Sequence, residues 1–282
     1  MAHSDIKLLR CRARVRADEG KDTETLIKTW SDSVVQFAFV TLSMDPEGTH
    51  ALQKRLRETN AESKAYLAEA MRGHLWPCMH CKHANHVVQA IVREVQPLPS
   101  FFLQELKGTA VALANHKYAC RIWCRLIEHV PVASLQPMLI ELLQASSVVC
   151  RNKYGKYVVG MLISQGPTWA KVPFVEVILS KESGAVIRHS ALSYVACAIL
   201  ESADVPSQLE VALHLRRSSE IYMNCKTRPD GRRLYEAIKQ LGDILDAERA
   251  EGAEGADEIN DTWITDDELI FPVHNVFCSI SS

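Results

Sequence analysis

Long apolar runs, glycine-rich phosphate loops and strand-like alternation are all missing from this sequence, and each absence removes a class of protein. No stretch approaches the roughly 18 to 20 apolar residues that a membrane span requires, and the opening MAHSDIKLLRCRAR has no apolar core of the kind a secretory signal needs. A chain without membrane contact is therefore expected, working in the cytoplasm, with the nucleus and nucleolus left open. No phosphate-cradling glycine loop, G-x-S-x-G elbow or H-E-x-x-H helix occurs, so neither enzymatic activity nor a cofactor is expected. A disulfide framework is missing as well. Nine, an odd number, are scattered through helical-looking segments, which argues for reduced thiols and against a disulfide-held fold. What is present, 47% hydrophobic and 23% charged residues, is apolar enough for a sizeable core and excludes a chain disordered throughout.

The net charge of −2 conceals an uneven distribution. From Leu241 onward stand eleven acidic residues and a single basic one, Arg249, which leaves 31 basic against 23 acidic residues, a net +8, on the first 240. A basic body suits a polyanionic partner, with the acidic segment either competing for that surface or simply solvating the end. The segment 241–282 contains AERAEGAEGADEINDTW, rich in small and acidic residues, and is expected to be mostly disordered. Its apolar end around Trp263, Ile264, Leu269, Ile270 and Phe271 is available to dock on the body or to act as a short partner motif. Residues 1–27 are basic and poorly patterned, a frayed cap or the remnant of a repeat.

Between these ends, over residues 28–240, the sequence repeats. GTHALQ, ANHVVQ, ACRIWC, GKYVVG, LSYVAC and GRRLYE share a frame, and their second residues, Thr49, Asn85, Cys120, Lys156, Ser193 and Arg232, are separated by 36, 35, 36, 37 and 39 positions. A period in this range marks stacked units that bury a face against their neighbours. With that second residue as position i, apolar residues fall at i+2, i+3, i+6 and i+7, as in Val87, Val88, Ile91 and Val92. On a helix these centre near about 270°, whereas i, i+1 and i+4 centre near about 50° and share a face turned away from the core stripe. Upstream of each motif runs another helical segment, such as FFLQELKGTAVALAN or LQPMLIELLQASSVV, so each unit reads as helix, turn, helix. Position i−1 is small in five units, Gly48, Ala84, Ala119, Gly155 and Gly231, which suits a tight entry into the second helix. Lys82, Lys117 and Lys153 recur at i−3 and would line up as a ladder of cations suited to a phosphate backbone.

NHVVQ at Asn85–Gln89, HKYACRIWCRLIEH from His116 and NKYGKYVVGMLI from Asn152 resemble the second-helix signature of Pumilio (PUF) repeats. The resemblance implies an all-α, right-handed helical-repeat solenoid, a Pumilio-like crescent of about six repeats of roughly 36 residues, whose concave face binds single-stranded RNA. It also implies roles. The i+1 side chains stack between bases, and those at i and i+4 contact base edges. Here the stackers are His50, His86, Arg121, Tyr157, Tyr194 and Arg233, and all six are planar. The edge positions are Thr49 with Gln53, Asn85 with Gln89, Cys120 with Cys124, Lys156 with Gly160, Ser193 with Cys197, and Arg232 with Glu236. Asn85 with Gln89 resembles a uracil reader. The others depart from the family's combinations, which points to relaxed sequence specificity, with stacking and backbone charge supplying the affinity. Six units against the family's usual eight mean degenerate ends or a short array.

The expected partner is then single-stranded RNA, either an mRNA 3′ untranslated region or ribosomal RNA. The expected role is post-transcriptional regulation or RNA processing, by a monomer working with protein co-regulators. A different reading stays open: an armadillo- or HEAT-like scaffold that binds a peptide or protein. Cys78, His80, Cys81 and His83, with His74 nearby, have ligand types that suit zinc, but no second pair follows at finger spacing, and an ordinary loop without metal is expected there. Trp123 falls in the apolar stripe and is expected in the core.

Overall fold

The computed structural model describes residues 32–216 and 232–242. The chain divides into two units, Met1–Leu241 and Gly242–Ser282, and the helical architecture belongs to the first. The basic segment 1–27, the segment RPDG ahead of Arg232, and the acidic tail with Trp263 and its apolar neighbours lie outside the described residues.

Everything with regular structure among the described residues is helical. The first repeat comprises α1 (Asp32–Ser43) and α2 (Pro46–Glu58). The second has α3 (Ala61–Glu69), α4 (Leu75–His80) and α5 (Ala84–Glu94), and the third α6 (Ser100–Leu106), α7 (Ala110–Ala114) and α8 (Ala119–His129). Next come α9 (Val132–Gln144), α10 (Ser146–Arg151) and α11 (Gly155–Gln165), and then a 3₁₀ turn (Thr168–Ala170) with α12 (Val172–Leu179), α13 (Ser183–Arg188) and α14 (Ser190–Ser202). The sixth holds α15 (Val205–Arg216) and a last helix, α16, over residues 232–242.

The motif-bearing helices α2, α5, α8, α11 and α14 pack each against the next, and these are the most extensive helix contacts in the unit. The cause is the apolar stripe. Val87, Val88, Ile91 and Val92 on α5, Ile122, Trp123 and Leu126 on α8, and Val158, Val159, Leu162 and Ile163 on α11 are all buried. Trp123 is among the largest of these, and its indole N–H donates to the carbonyl of Ala110 at 2.9 Å, so its one polar atom is satisfied inside the core.

In the second to fifth repeats the upstream half is not the single helix expected. It breaks in two, so the third repeat turns between α6 and α7 at Gly108 (φ 77°) and the second between α3 and α4 at Gly73 (φ 76°), a backbone region that side chains with a Cβ avoid. In the fourth repeat the break falls at Ala145 without a glycine. Its N–H bonds back to the carbonyls of Leu142 and Leu143.

The small residues at i−1 serve a close approach and not an unusual dihedral. A Cβ on Gly155 would lie 2.5 Å from the Val149 carbonyl oxygen and 2.6 Å from the Asn115 side-chain oxygen, and one on Gly48 would collide with the Leu42 carbonyl. The end of the preceding helix is thus pressed against the start of the long one, which fixes where the first turn of each long helix stands.

Candidate nucleic-acid interface

In four of the repeats the first turn of the long helix is held by a side chain four residues before position i. The Asp45 carboxylate accepts from the Gly48 N–H at 2.8 Å. The Asn152 amide oxygen accepts from the N–H groups of Tyr154 and Gly155 at 2.8 and 3.1 Å. His116 Nδ1 accepts from Tyr118 and Ala119, both at 3.3 Å, and His189 Nδ1 from Leu192 at 3.4 Å. These groups satisfy amides that a helix start leaves without partners. Sequence reasoning misses them because histidine is not a common cap and Cys81 occupies the equivalent place in the second repeat. The signal that could reveal them is a polar residue recurring at i−4.

With the first turns fixed, the i+1 side chains follow one another along the stack. His50, His86, Arg121 and Tyr157 are exposed on α2, α5, α8 and α11; Tyr194 on α14 is half-buried, and Arg233 on α16 is exposed. Neighbours along this order sense each other. The His86 imidazole titrates below the ordinary histidine value, first through burial and then through the positive charges of Arg121, His50 and His83. It is therefore neutral at neutral pH and offers a ring face without a charge. Tyr157 and Tyr194 meet edge to face, with ring centroids 5.3 Å apart at 72°. Burial raises the Tyr194 phenol above its usual value, with Arg233 and then Tyr157 acting on it more weakly. Arg233 is bound to Glu201 on α14, Nε donating to one carboxylate oxygen at 2.6 Å and the terminal nitrogen to the other.

The edge positions are more deeply placed. Asn85 is fully buried. Its Nδ2 donates to the carbonyls of Cys81 and Lys82, both at 2.9 Å, while its oxygen accepts from Gln89 Nε2 at 2.9 Å. Thr49, Cys120, Ser193 and Cys197 are buried too. Thr49 donates to the His83 carbonyl at 3.1 Å, Ser193 to the Ile187 carbonyl at 3.2 Å, and the Cys120 thiol to the Lys117 carbonyl at 3.6 Å. The half-buried edge residues are Gln53, Gln89, Cys124 and Lys156, and Arg232 and Glu236 are exposed. Gln53 Nε2 lies 3.1 Å from the Thr49 carbonyl. Gly160 is more than an empty position: a Cβ there would come within 3.0 Å of Cε1 and 3.2 Å of Oη of Tyr194, so it makes the seat on which that ring rests. Burial holds the Cys124 thiol up at about 12 and the Cys120 thiol above its usual value, so both stay protonated and non-nucleophilic at neutral pH.

Lys82, Lys117 and Lys153 are exposed at the entry to α5, α8 and α11. Two of their ammonium groups sit over the following ring, Lys117 over Tyr118 at 5.2 Å and Lys153 over Tyr154 at 4.9 Å. The cysteine and histidine cluster of the second repeat does not converge. Cys78 is in the core near Ser43, with its thiol pushed up to about 11 by burial, whereas His80 stacks against Trp76 and His116 at 4.3 and 4.1 Å. Among the described residues no three histidine, cysteine or acidic side chains are placed to hold a metal ion.

The family model described as Pumilio-family RNA binding repeat matches residues 38–71 and 110–143, two stretches lying two repeat lengths apart. No curated protein matches the sequence. Among solved structures, the chain is similar to PUF-8 in complex with PBE-RNA, with a TM-score of 0.65, 19% identity, and coverage of 74% of this chain and 62% of that one. It is similar also to the Puf3 RNA binding domain bound to a Cox17 RNA 3′ UTR recognition sequence, with a TM-score of 0.59, 17% identity, and coverage of 90% and 74%. The RNA-binding domain of yeast Puf5p bound to SMX2 RNA gives 0.61, 14%, and 84% and 68%. The chain thus spans 62% of the length of the first of these. At such identities the likeness establishes the fold, that of a Pumilio helical-repeat solenoid, and the side-chain roles rest on this chain's own residues.

Proposed function

We propose that this chain, which carries Pumilio-family repeats, binds single-stranded RNA along the face formed by successive long helices, as a binding module and not an enzyme. One observation carries the reading: six planar side chains occupy a single helical position in six consecutive repeats, the long helices of the first five packing each against the next, turned away from the apolar stripe. An array kept only for packing gains nothing from planar polar groups there, whereas unpaired bases have faces that stack on histidine, arginine and tyrosine. The exposed lysines at i−3 supply charge for the backbone. We assign base stacking to the six planar residues, edge contact to the i and i+4 residues, with Gln89 making the contact at its pair because the Asn85 amide is bonded within the chain, and phosphate contact to the three lysines. The RNA class we favour is an mRNA 3′ untranslated segment or ribosomal RNA, bound by a monomer that works with protein co-regulators in the cytoplasm, with the nucleus and nucleolus as further sites.

The test is titration of the full chain with labelled U-rich and scrambled single-stranded RNAs across a salt series, beside a His86→Ala, Arg121→Ala double variant. Salt-sensitive binding that the double variant weakens about tenfold or more is expected, since each base stack is worth roughly 1 to 3 kcal/mol. Absence of RNA binding at low salt would turn the assignment toward a peptide-binding scaffold. Crosslinking in cells followed by sequencing of the bound RNA distinguishes messenger from ribosomal targets.

A further inference from the structure

The six planar residues are not equivalent. His50, His86 and Arg121 are exposed, and no ring contact or ion pair joins them to one another among the described residues. The junction that follows is different. The rings of Tyr157 and Tyr194 are 5.3 Å apart and nearly perpendicular, while a base sandwiched between two planes needs two contacts of about 3.5 Å, hence parallel faces about 7 Å apart. The Lys156 ammonium lies 5.2 Å from the Tyr157 ring and 5.1 Å from the Tyr194 ring, so the edge residue of this repeat is spent on the same two tyrosines. Gly160, the other edge position, is what lets the Tyr194 ring settle there, since a Cβ would press on Cε1 at 3.0 Å. Beyond it, Arg233 is engaged with Glu201.

From this geometry we infer that the face is divided, with His50, His86 and Arg121 forming an open segment that takes unpaired bases and the Tyr157–Tyr194 contact closing the rest until Tyr194 is displaced. Tyr194, seated by Gly160 and clamped by Lys156, is then the residue that sets the length of RNA bound. The inference rests on the RNA reading above and gives it a footprint. A base entering at Tyr157 gains one stack but breaks an aromatic pair and two cation–ring contacts, each worth a factor of roughly two to ten in affinity, so insertion there is close to neutral. In the open segment a base displaces nothing comparable.

The experiment titrates the full chain with oligouridines of three to eight nucleotides at fixed salt, comparing wild type with Tyr194→Val. In wild type, affinity rises about tenfold per nucleotide to a length of about four and then flattens. In Tyr194→Val the rise continues by one or two nucleotides, and the eight-nucleotide RNA binds about tenfold tighter than to wild type. An even climb through six or more nucleotides in wild type overturns the division whatever the variant does, so the result does not hang on the folding of Tyr194→Val. A folded Tyr194→Val protein that flattens at the same length as wild type also overturns it. Failure to bind any length overturns the RNA reading itself, which is a distinguishable result because the shortest oligonucleotides fail as well.

Discussion

Asn85 shows how a residue without surface can decide what happens at one. Its amide is consumed inside the chain, by two carbonyls on one side and Gln89 on the other, so the group left to meet a ligand is the half-buried Gln89, held in place from beneath. Two different outcomes are expected on substitution. Gln89→Ala removes the contact group and should lower the preference for uracil over scrambled RNA by a factor of a few to about a hundredfold, roughly 1 to 3 kcal/mol, with little change in the urea midpoint. Asn85→Ala leaves the Lys82 carbonyl and the Gln89 amide without this partner, while the Cys81 carbonyl keeps the Asn85 backbone N–H, and should cost about 1 kcal/mol of stability as well as binding. Equal loss of stability in both variants would refute this division of labour. The sequence shows the pair at i and i+4 plainly. It cannot show that the first member faces inward, because a polar residue at the border of an apolar stripe is buried or exposed according to how closely the next helix approaches.

On the scale of the helix, the long elements are legible in the sequence and their breaks are not. A period near 36 recurs across six copies, and apolar residues fill i+2, i+3, i+6 and i+7 in the four inner ones, Arg55 and Lys239 breaking the pattern at the ends, which is why α5, α8 and α11 begin and pack as the spacing predicts. The upstream segments carry apolar residues through the break, and only Gly73 and Gly108 hint at it. The entry caps are hidden for another reason: they are chemically unlike from repeat to repeat, carboxylate, imidazole and amide doing the same work. The imidazole version brings a pH dependence. Nδ1 of His116 accepts two backbone N–H groups and must be unprotonated to do so, and burial, followed by the charge of His80, holds its pKa below the ordinary 6.5. The unfolded chain therefore binds the proton more readily than the folded one, and stability, full above about pH 6.5, falls as the pH drops through the folded value. His116→Asn retains the cap in the form found at Asn152 and removes the titration. Its melting temperature should fall less than that of wild type between pH 7.5 and 5.5. His116→Ala should lose about 1 kcal/mol already at pH 7.5. If His116→Asn and wild type lose stability in parallel over that range, the cap is not what titrates.

At the scale of the whole chain, the sequence speaks through charge. Residues 1–240 carry 31 basic and 23 acidic groups, and eleven of the twelve charges from Leu241 onward are negative, so the acidic stretch cancels more than the whole excess that would attract a polyanion. Fields of this kind act at a distance and are screened over about 10 Å at 0.1 M salt. This gives them a signature that stacking lacks. A chain ending at Gly242 keeps every helix from α1 to α16 and loses all eleven of those acidic residues. It should therefore bind single-stranded RNA more tightly than the full chain at low salt, through faster association. Raising the salt should bring the two affinities together, since the term separating them is the screened one. The contributions of His86 and Arg121 stacking to unpaired bases should persist in both chains at high salt, because a ring contact survives screening. Should the two chains stay apart at about 0.5 M salt, where screening is nearly complete within a few ångströms, the acidic stretch would be acting by contact and not by charge, and the +8 body would no longer speak for an RNA partner.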